Sequence, residues 1–591
     1  MSQPTKSDLL QTSSFEFVNT IDQAWKFKAW LGERRSVMGV DTETAGLHPE
    51  SDALRLVQFG DLQTGWAIPW EGWGGVALEA LNTYRGDLVM HNSPFDNRVL
   101  DANGWDPRWS DTHDTMTEAH LVDPDRPKGL KPLASRFVDA KAVAGQAALD
   151  KAMRVHGWDW GTVPVNFQLY WVYGALDPLL TCHVHEHLNP IIKARGYDRA
   201  YDLERATSRI ASGMMQRGIE VDLEYCERKS RALRTWSGQA RDWIKDEFGI
   251  TNATANAQVI KRLTDDGIPL IKRTSSGAQF ALDKEVLDGL IAADAHPLPA
   301  YIKAIRKAEK ICGTYLENFS EMVGADGRIR CNINTLGART GRMSLTEPAL
   351  QTLHRDDPTV REAFVPREGH VFVSCDYDQI EARLAAHFSE DQGLIDAFKG
   401  PDDFFCTIAT GMFGEPIVKG DRRRQVTKNT IYGSIYMAGI ETMARTAGLS
   451  PTEMAPIKHA FDARYPGLLK MAEGIMAVAA HRKETEGRAY VRTPLGREIT
   501  IKDTRDYALV NYLIQGTAAE VLKQAMVELD AVGLGEYLVL PIHDELLLEV
   551  PREMAQEVIH TVERVMSDLT SFRVPLTSSA VLFEDRWGLK K

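Results

Sequence analysis

The sequence predicts a multidomain α/β and α+β molecule: an α/β unit first, then a helical arm, then an α+β unit with an inserted helical block. Three observations lead there. The chain has 591 residues, too many for one hydrophobic core when domains run to roughly 150 residues. Residues 36–180 alternate short apolar runs (SVMGV, LRLVQFG, DLVMHN) with helix-like stretches, as an α/β unit does. From residue 321 onward, strand-like runs (GRIRCNIN, HVFVSCDYD, YLVLPIHDELLLEV) surround a helix-rich block at about 396–500, the pattern of an α+β core carrying an insertion.

Between these units, residues 201–320 read as mostly helical, from YDLERATSRIASGMMQRG to YIKAIRKAEKICGTYLENF, with charges on one face. Hydrophobic residues make up 43% and charged residues 26%, a globular composition, and no apolar run approaches the ~18 residues of a membrane span. The opening MSQPTKSDLLQTSSF lacks the basic-then-apolar order of a secretory signal, so a cytoplasmic protein is expected. Six cysteines occur without any CxxC spacing, which fits reduced packing residues better than disulfides or a cysteine zinc site. A net charge of −13 does not exclude nucleic acid, because a local basic groove is what meets phosphates. Acidic clusters that hold divalent metals would lower the total as well.

VMGVDTETAGL sets Asp41 and Glu43 two apart at the end of an apolar strand, so both side chains share a face. DLVMHNSPFD reads as a strand followed by Ser93 as a helix N-cap and Pro94 as first helical residue, placing Asp96 in the first turn. In YWVYGALDP, Tyr173 and Asp177 stand four apart on one helical face. Taken singly, each has an ordinary alternative: a common DxE, an acid complementing a helix dipole, a surface pair. In this order and spacing, the set resembles the 3′-to-5′ exonuclease family with four acids and a tyrosine. The resemblance implies a ribonuclease H-like fold, metal ligation by Asp41, Glu43, Asp96 and Asp177, and a water oriented by Tyr173.

In the second half, HVFVSCDYDQIEARLAAHF starts as a buried strand ending at Asp376 and continues as a helix. LPIHDELLLEV carries His543, Asp544 and Glu545 inside an apolar run, where a lone carboxylate would cost several kcal/mol of desolvation. Two such acids at the ends of strands in one sheet suit a second metal site. Between them, KGDRRRQVTKNTIYGSIYMAG puts Arg424, Lys428 and Tyr432 on one helical face. A solvated basic face would explain the cations but has no need of Tyr432.

These segments resemble the family A DNA polymerases, of the bacterial DNA polymerase I type and its phage relatives. The resemblance rests on DYDQIEAR from Asp376, Arg424-x3-Lys428-x3-Tyr432-Gly433, and His543-Asp544-Glu545. It is supported by TGRMSLTEPALQ, YVRTPLGRE, NYLIQGTAAEVLKQAM and the terminal WGLKK. It implies an exonuclease domain at 1–200, a thumb at 201–320, a palm at 321–395 and 500–591, and fingers at 396–499. With the exonuclease motifs beginning at Asp41, an N-terminal flap nuclease is not expected.

By the same resemblance, Asp376, Asp544 and the Tyr377 carbonyl would bind two Mg²⁺, with Mn²⁺ as a substitute, giving two ions per active site. Arg424 and Lys428 would grip the triphosphate, Gln379 would line the nucleotide site, Tyr432 would stack on the incoming nucleotide, and Glu381 would exclude a ribose 2′-hydroxyl. Tyr436 would hold the template base position, His543 the primer terminus, and Glu545 would be a near-site acid. Arg342, Gln351, Asn511 and Gln515 would read the minor groove; structural hydrogen bonding suits Arg342, Asn511 and Gln515 equally. Implied partners are primer–template DNA and deoxynucleoside triphosphates, with helicase-primase, single-strand binding protein and a processivity factor as further replication partners, and no membrane.

Four positions draw comment. Asp378 stands where the family has Ser, adding charge beside the metals. Phe405 stands at a phosphate-donating His, with Arg422 or Arg423 as stand-ins. Met437 replaces a Gly after Tyr436 and would stiffen the end of the fingers helix. Tyr rather than Phe at 432 implies tolerance of dideoxynucleotides. The expected function is therefore a proofreading, phage-type replicative DNA polymerase. A single-subunit RNA polymerase is disfavoured by the exonuclease set and Glu381, and a non-catalytic scaffold by the intact acids.

Overall fold

Six short apolar runs pair into the first sheet of the protein, seen here in a computed structural model that describes residues 12–33, 37–270, 272–274, 277, 279–353, 357–501, 505–569 and 572–588. The first eleven residues of the opening read for a signal and the last three residues of WGLKK lie outside these described residues. The strands are β1 (Ser14–Phe17), β2 (Val37–Thr44), β3 (Leu54–Gly60), β4 (Thr64–Pro69), β5 (Asp87–Met90) and β6 (Thr112–Asp114), in the order β1-β4-β3-β2-β5-β6. β2 runs antiparallel to β3 and parallel to β5. LRLVQFG is almost wholly buried along β3, as a strand covered on both faces must be.

Four helices surround the site end of this sheet: α1 (Ser93–Ala102), α2 (Thr115–Val122), α3 (Leu130–Phe137) and α4 (Gln168–Arg195). α4 lies directly across β2, β3 and β4. That approach needs bare backbone beneath it: a Cβ on Gly65 would overlap the Ala175 carbonyl, and one on Gly39 that of Pro178.

α5 (Asp198–Arg217) leads into the second half, and its Ile210, Met214 and Met215 belong to the same core as Phe372 and Leu522. The helical reading of 201–320 holds for α6 (Leu223–Phe248) and α7 (Leu298–Lys310) but misses β7 (Ile219–Val221). β7 pairs with β8 (Arg328–Ile329) and β11 (Phe364–Val365). A three-residue strand has no visible period of its own, and its partners lie over a hundred residues away. β9 (Asn332–Asn334) pairs with β10 (Ser344–Thr346).

The sheet of the second half orders β15-β16-β12-β17, from β12 (His370–Tyr377), β15 (Leu538–Ile542), β16 (Glu545–Pro551) and β17 (Ser578–Phe583), with all pairs antiparallel. Between β12 and β15 run α8 (Ile380–Ser389), α9 (Phe404–Phe413), α10 (Arg422–Ile435), the hairpin β13 (Ala489–Arg492) and β14 (Glu498–Ile501), and α11 (Ala508–Ala531). α12 (Ala555–Asp568) packs on β12 and β17.

A buried ionic group fastens α5 to α11. Glu204 is fully buried and accepts from Lys523 Nζ at 2.6 and 2.7 Å. It is also paired with Arg497, whose Nε reaches Glu520 at 3.2 Å. Burial pulls the Lys523 ammonium down to about 8, while the Glu204 charge opposes the shift.

Substituting Gly65→Ala should destabilise the N-terminal unit by about 1–3 kcal/mol through overpacking against α4. Chemical denaturation followed by tryptophan fluorescence should read this as a lower midpoint; an unchanged midpoint would mean that α4 can lift off the sheet without cost.

Candidate active sites

The end of β2 brings Asp41 and Glu43 to one face, and α4 adds Asp177, so that one oxygen from each lies within 4.8 Å of the others. Tyr173 sits one turn before Asp177 on α4. Asp96 falls outside that group: its Oδ1 accepts from the Thr42 hydroxyl at 2.7 Å, although Asp41 still acts on it electrostatically. The capping expectation is off by one residue. Asn92, in a left-handed conformation, is the N-cap of α1, and Ser93 is already helical. The reason is Asp114 at the end of β6, whose carboxylate accepts the backbone N–H of Asn92 (3.0 Å) and Ser93 (3.1 Å) and so replaces a side-chain cap. Asp96 remains in the first turn.

Burial raises the Asp41 carboxyl to about 7, and burial with repulsion from Asp41 raises Glu43 to about 8. Asp96 is pushed well up by burial and then by Asp41. An all-oxygen set of crowded carboxylates fits a hard divalent cation such as Mg²⁺ or Mn²⁺. The cation the structure itself supplies is Lys131 of α3, a residue the sequence reading missed. Its Nζ pairs with Asp177 and lies 4.3 Å from the Tyr173 ring centroid. Burial lowers it to about 8 against the pull of Asp41 and Glu43. GLKPLASRF gave one faint signal, a lysine at the start of a helix where acids are usual.

In the second half, Asp376 stands next to last on β12, opposite Glu545 on β16. Ile542 pairs with Glu545, so His543 and Asp544 form a two-residue hairpin turn, with His543 at φ 55°. The Asp544 carbonyl accepts from the Tyr377 N–H at 3.2 Å, fixing the turn beside the end of β12. Glu545 is 5% exposed and takes the Ser374 hydroxyl, which resolves how an acid sits inside so apolar a run.

Arg342, Gln351, His543 and Asp544 line one cleft of about 270 Å³, with Ala519 and Lys523 of α11 as its wall. Gln351 also holds the Met343 carbonyl at 2.9 Å, a structural bond. Asn511 and Gln515 lie two and one turns earlier on α11 and are not among the cleft-lining residues. The buried Asn511 Oδ1 and Gln379 Oε1 have no hydrogen-bond partner among the described residues. Gln379 caps α8 at φ 56°. Glu381 is shared, one oxygen taken by Arg342 and the other by the Tyr436 hydroxyl.

On α10, Arg424 forms a two-point pair with Asp403 at 2.9 and 2.8 Å, and its guanidinium holds the Asp403 carboxyl down to about 2. Lys428 Nζ and Arg424 lie 5.7 and 5.3 Å from the Phe405 ring centroid. Tyr432 stacks against Tyr436 with centroids 6.3 Å apart.

The family model described as DNA polymerase family A matches residues 223–588. The chain belongs to DNA polymerase family A. Its N-terminal part, residues 15–193, matches the 3′-5′ exonuclease family. It is 30% identical to the DNA polymerase of Mycobacterium phage D29, over 95% of this chain and 94% of that one. It is 29% identical to the DNA polymerase of Mycobacterium phage L5, over 93% of each. The fold is similar to the solved POL domain of Pol1 from M. smegmatis in complex with DNA primer-template and dNTP, with TM-score 0.80, 24% identity, and 97% and 99% of the two chains covered. This protein is thus a DNA polymerase with an N-terminal exonuclease domain.

Within this family A polymerase, the unusual positions have physical accounts. The Asp378 carboxylate is occupied by the hydroxyls of Thr577 (2.9 Å) and Ser579 (2.9 Å) on the β17 side. Phe405 provides an aromatic floor under the two cations instead of a donor. Of the two stand-ins, Arg422 binds the Gly448 carbonyl at 2.9 Å, and Arg423 pairs with Asp421 and Glu415. Met437 lies past the end of α10 at φ 54°, a conformation glycine adopts freely and methionine only with strain of about 1–2 kcal/mol.

The raised acids give a pH signature. Asp41 and Glu43 titrate near 7 and 8 when folded and near 4 when unfolded. The folded state therefore binds more protons between about pH 4 and 8, and stability falls as pH rises through that window. In the presence of a chelator, Asp41→Asn/Glu43→Gln should gain in melting temperature relative to wild type as pH goes from 5 to 8. A pH-independent difference would contradict the raised values.

Proposed function

We propose that this polymerase replicates a phage genome, extending a primer with deoxynucleoside triphosphates at one site and editing the product 3′ end at the other. In this reading residues 1–200 form the exonuclease domain, 201–320 the thumb, 321–395 and 500–591 the palm, and 396–499 the fingers. The observation that carries it is the hairpin turn holding Asp544 beside the end of β12, where Asp376 stands, in a cleft walled by α11. Two phage polymerases matched over nearly their full lengths support the phage assignment.

Asp376, Asp544 and the Tyr377 carbonyl would hold one pair of Mg²⁺ or Mn²⁺ ions, and Asp41, Glu43, Asp96 and Asp177 another. Bound ions of this kind lower the pKa of an attacking hydroxyl or water and neutralise a leaving oxygen. The rest is done by side chains of the chain. Arg424 and Lys428 on successive turns of α10 face the triphosphate, and Asp403 keeps the Arg424 fork oriented. Tyr432 offers its ring to the nucleotide. Glu381 would meet a ribose 2′-hydroxyl, and its carboxylate is already oriented by Arg342 and Tyr436. Release of Tyr436 as α10 moves would vacate the template base position. At the editing site Tyr173 would orient the attacking water, and Lys131 would yield Asp177 as a ligand.

Primer extension with Mg²⁺ separates the two sites. Asp544→Ala should lose extension by at least about a thousandfold and keep primer degradation, whereas Asp41→Ala should do the reverse. Loss of both activities in each variant would refute two independent sites. Glu381→Ala should raise ribonucleotide incorporation relative to deoxyribonucleotide by about tenfold or more. Unchanged sugar discrimination would remove its role as a gate.

A further inference from the structure

A second set of donor atoms lies where the exonuclease domain meets the polymerase half, built from residues other than the β2 acids. His113 at the middle of β6, Glu118 on α2 and His185 on α4 each place a donor within 4.8 Å of the others. Tyr201 on α5 joins them. Its hydroxyl lies 3.2 Å from His113 Nδ1, and His185 Nδ1 lies 2.8 Å from Glu118 Oε1. Glu118 acts electrostatically on the Tyr201 phenol. Two imidazole nitrogens, a carboxylate and a phenol thus come together from four elements.

The outer nitrogens have partners of their own. His113 Nε2 lies 3.7 Å from Asp87 Oδ2, and His185 Nε2 lies 3.2 Å from the Asn189 side-chain amide. Metal-ligating histidines are held this way, with the second ring nitrogen given to a carboxylate or amide oxygen. The Asn189 oxygen and nitrogen are interchangeable in placement, so the oxygen can face Nε2.

Hydrogen bonding within the group leaves a deficit. Glu118 is fully buried, and its Oε2 has no hydrogen-bond partner among the described residues. Burial raises the Glu118 carboxyl and lowers the His113 imidazole to about 4, which keeps that imidazole a neutral ligand at physiological pH. Arg205, stacked 5.6 Å from the Tyr201 ring centroid, opposes a cation. Asp87 beside His113 and Asp114, whose N–H binds the Tyr201 hydroxyl at 3.0 Å, offset it.

We propose that His113, Glu118, His185 and Tyr201 form a closed site for a borderline divalent ion of the Zn²⁺ class, which pins β6, α2 and α4 to the first helix of the polymerase half. Two imidazoles with two oxygens favour Zn²⁺ over Mg²⁺, whereas the all-oxygen acids of β2 favour the reverse. The site is structural in character, because Glu118, His185 and Tyr201 are buried and the His113 side chain is 18% exposed.

The test uses the full chain with Asp41→Ala/Glu43→Ala, so that the acidic site does not take up zinc. After dialysis against Zn²⁺ in excess Mg²⁺, elemental analysis should find one equivalent of zinc per chain, and the melting temperature should exceed that of the EDTA-treated protein. Adding His113→Gln should abolish the equivalent and the shift, with retained primer extension as the folding control. Tyr201→Phe, which preserves the ring packing, should weaken zinc binding about tenfold or more. Co²⁺ in the parent should give the intense visible bands of a four-coordinate ion. No zinc in the parent, a full equivalent in His113→Gln, or unchanged affinity in Tyr201→Phe would overturn the assignment.

Discussion

The constraint on which the rest of the structure depends is that carboxylates taken out of water must find a counter-charge or a donor. Glu204 is the central case: fully buried on α5, it is held by Lys523 of α11 and by Arg497 just before β14. Removing one member of such a buried group costs about 3–5 kcal/mol, because the remaining charge is stranded. The same rule governs Glu549, which takes Arg328 at 2.6 Å and the Arg367 N–H at 2.7 Å. Glu545 takes Ser374. These pairings join segments hundreds of residues apart, and so decide how the halves of the chain are assembled.

At the end of β2 the rule is only partly met. Burial raises the Asp41 and Glu43 carboxyls, and Lys131, paired with Asp177, only partly opposes it. Three clustered acids with one cation leave negative charge in excess, which suits a divalent ion. Lys131 pairs with Asp177 and lies over the Tyr173 ring, so one cation joins these two side chains of α4.

Much of this was legible in sequence where the signal is local. A period of two put Asp41 and Glu43 together, and a period of four put Tyr173 near Asp177. The apolar flanks of His543-Asp544-Glu545 made a hairpin. What sequence hid was long-range. Asp114 caps a helix that begins 21 residues before it, displacing the expected Ser93 cap. Asp403 claims Arg424 from another helix. Lys131 is 46 residues from Asp177, and nothing in its neighbourhood announces the partner. The gathering of His113, Glu118, His185 and Tyr201 likewise has no period, since four separate elements contribute it.

Further polar contacts join the exonuclease domain to the polymerase half. His120 of α2 reaches the Ala338 carbonyl at 3.2 Å, and Ala338 lines the cleft that contains Asp544. Arg339 next to it pairs with Asp125 at 2.5 Å and stacks 5.4 Å from the Tyr512 ring centroid. Gln216 of α5 binds Asp101 of α1 at 2.6 Å. Burial, then Arg497, Lys128 and Lys523, keep His120 uncharged, so the ionic link of this seam is the Arg339–Asp125 pair. A seam of direct bonds, backed by the Glu204 group, thus joins the exonuclease and polymerase domains. The β2 acids and the His543–Asp544 turn are therefore placed relative to one another by polar pairings that either half alone would leave unsatisfied.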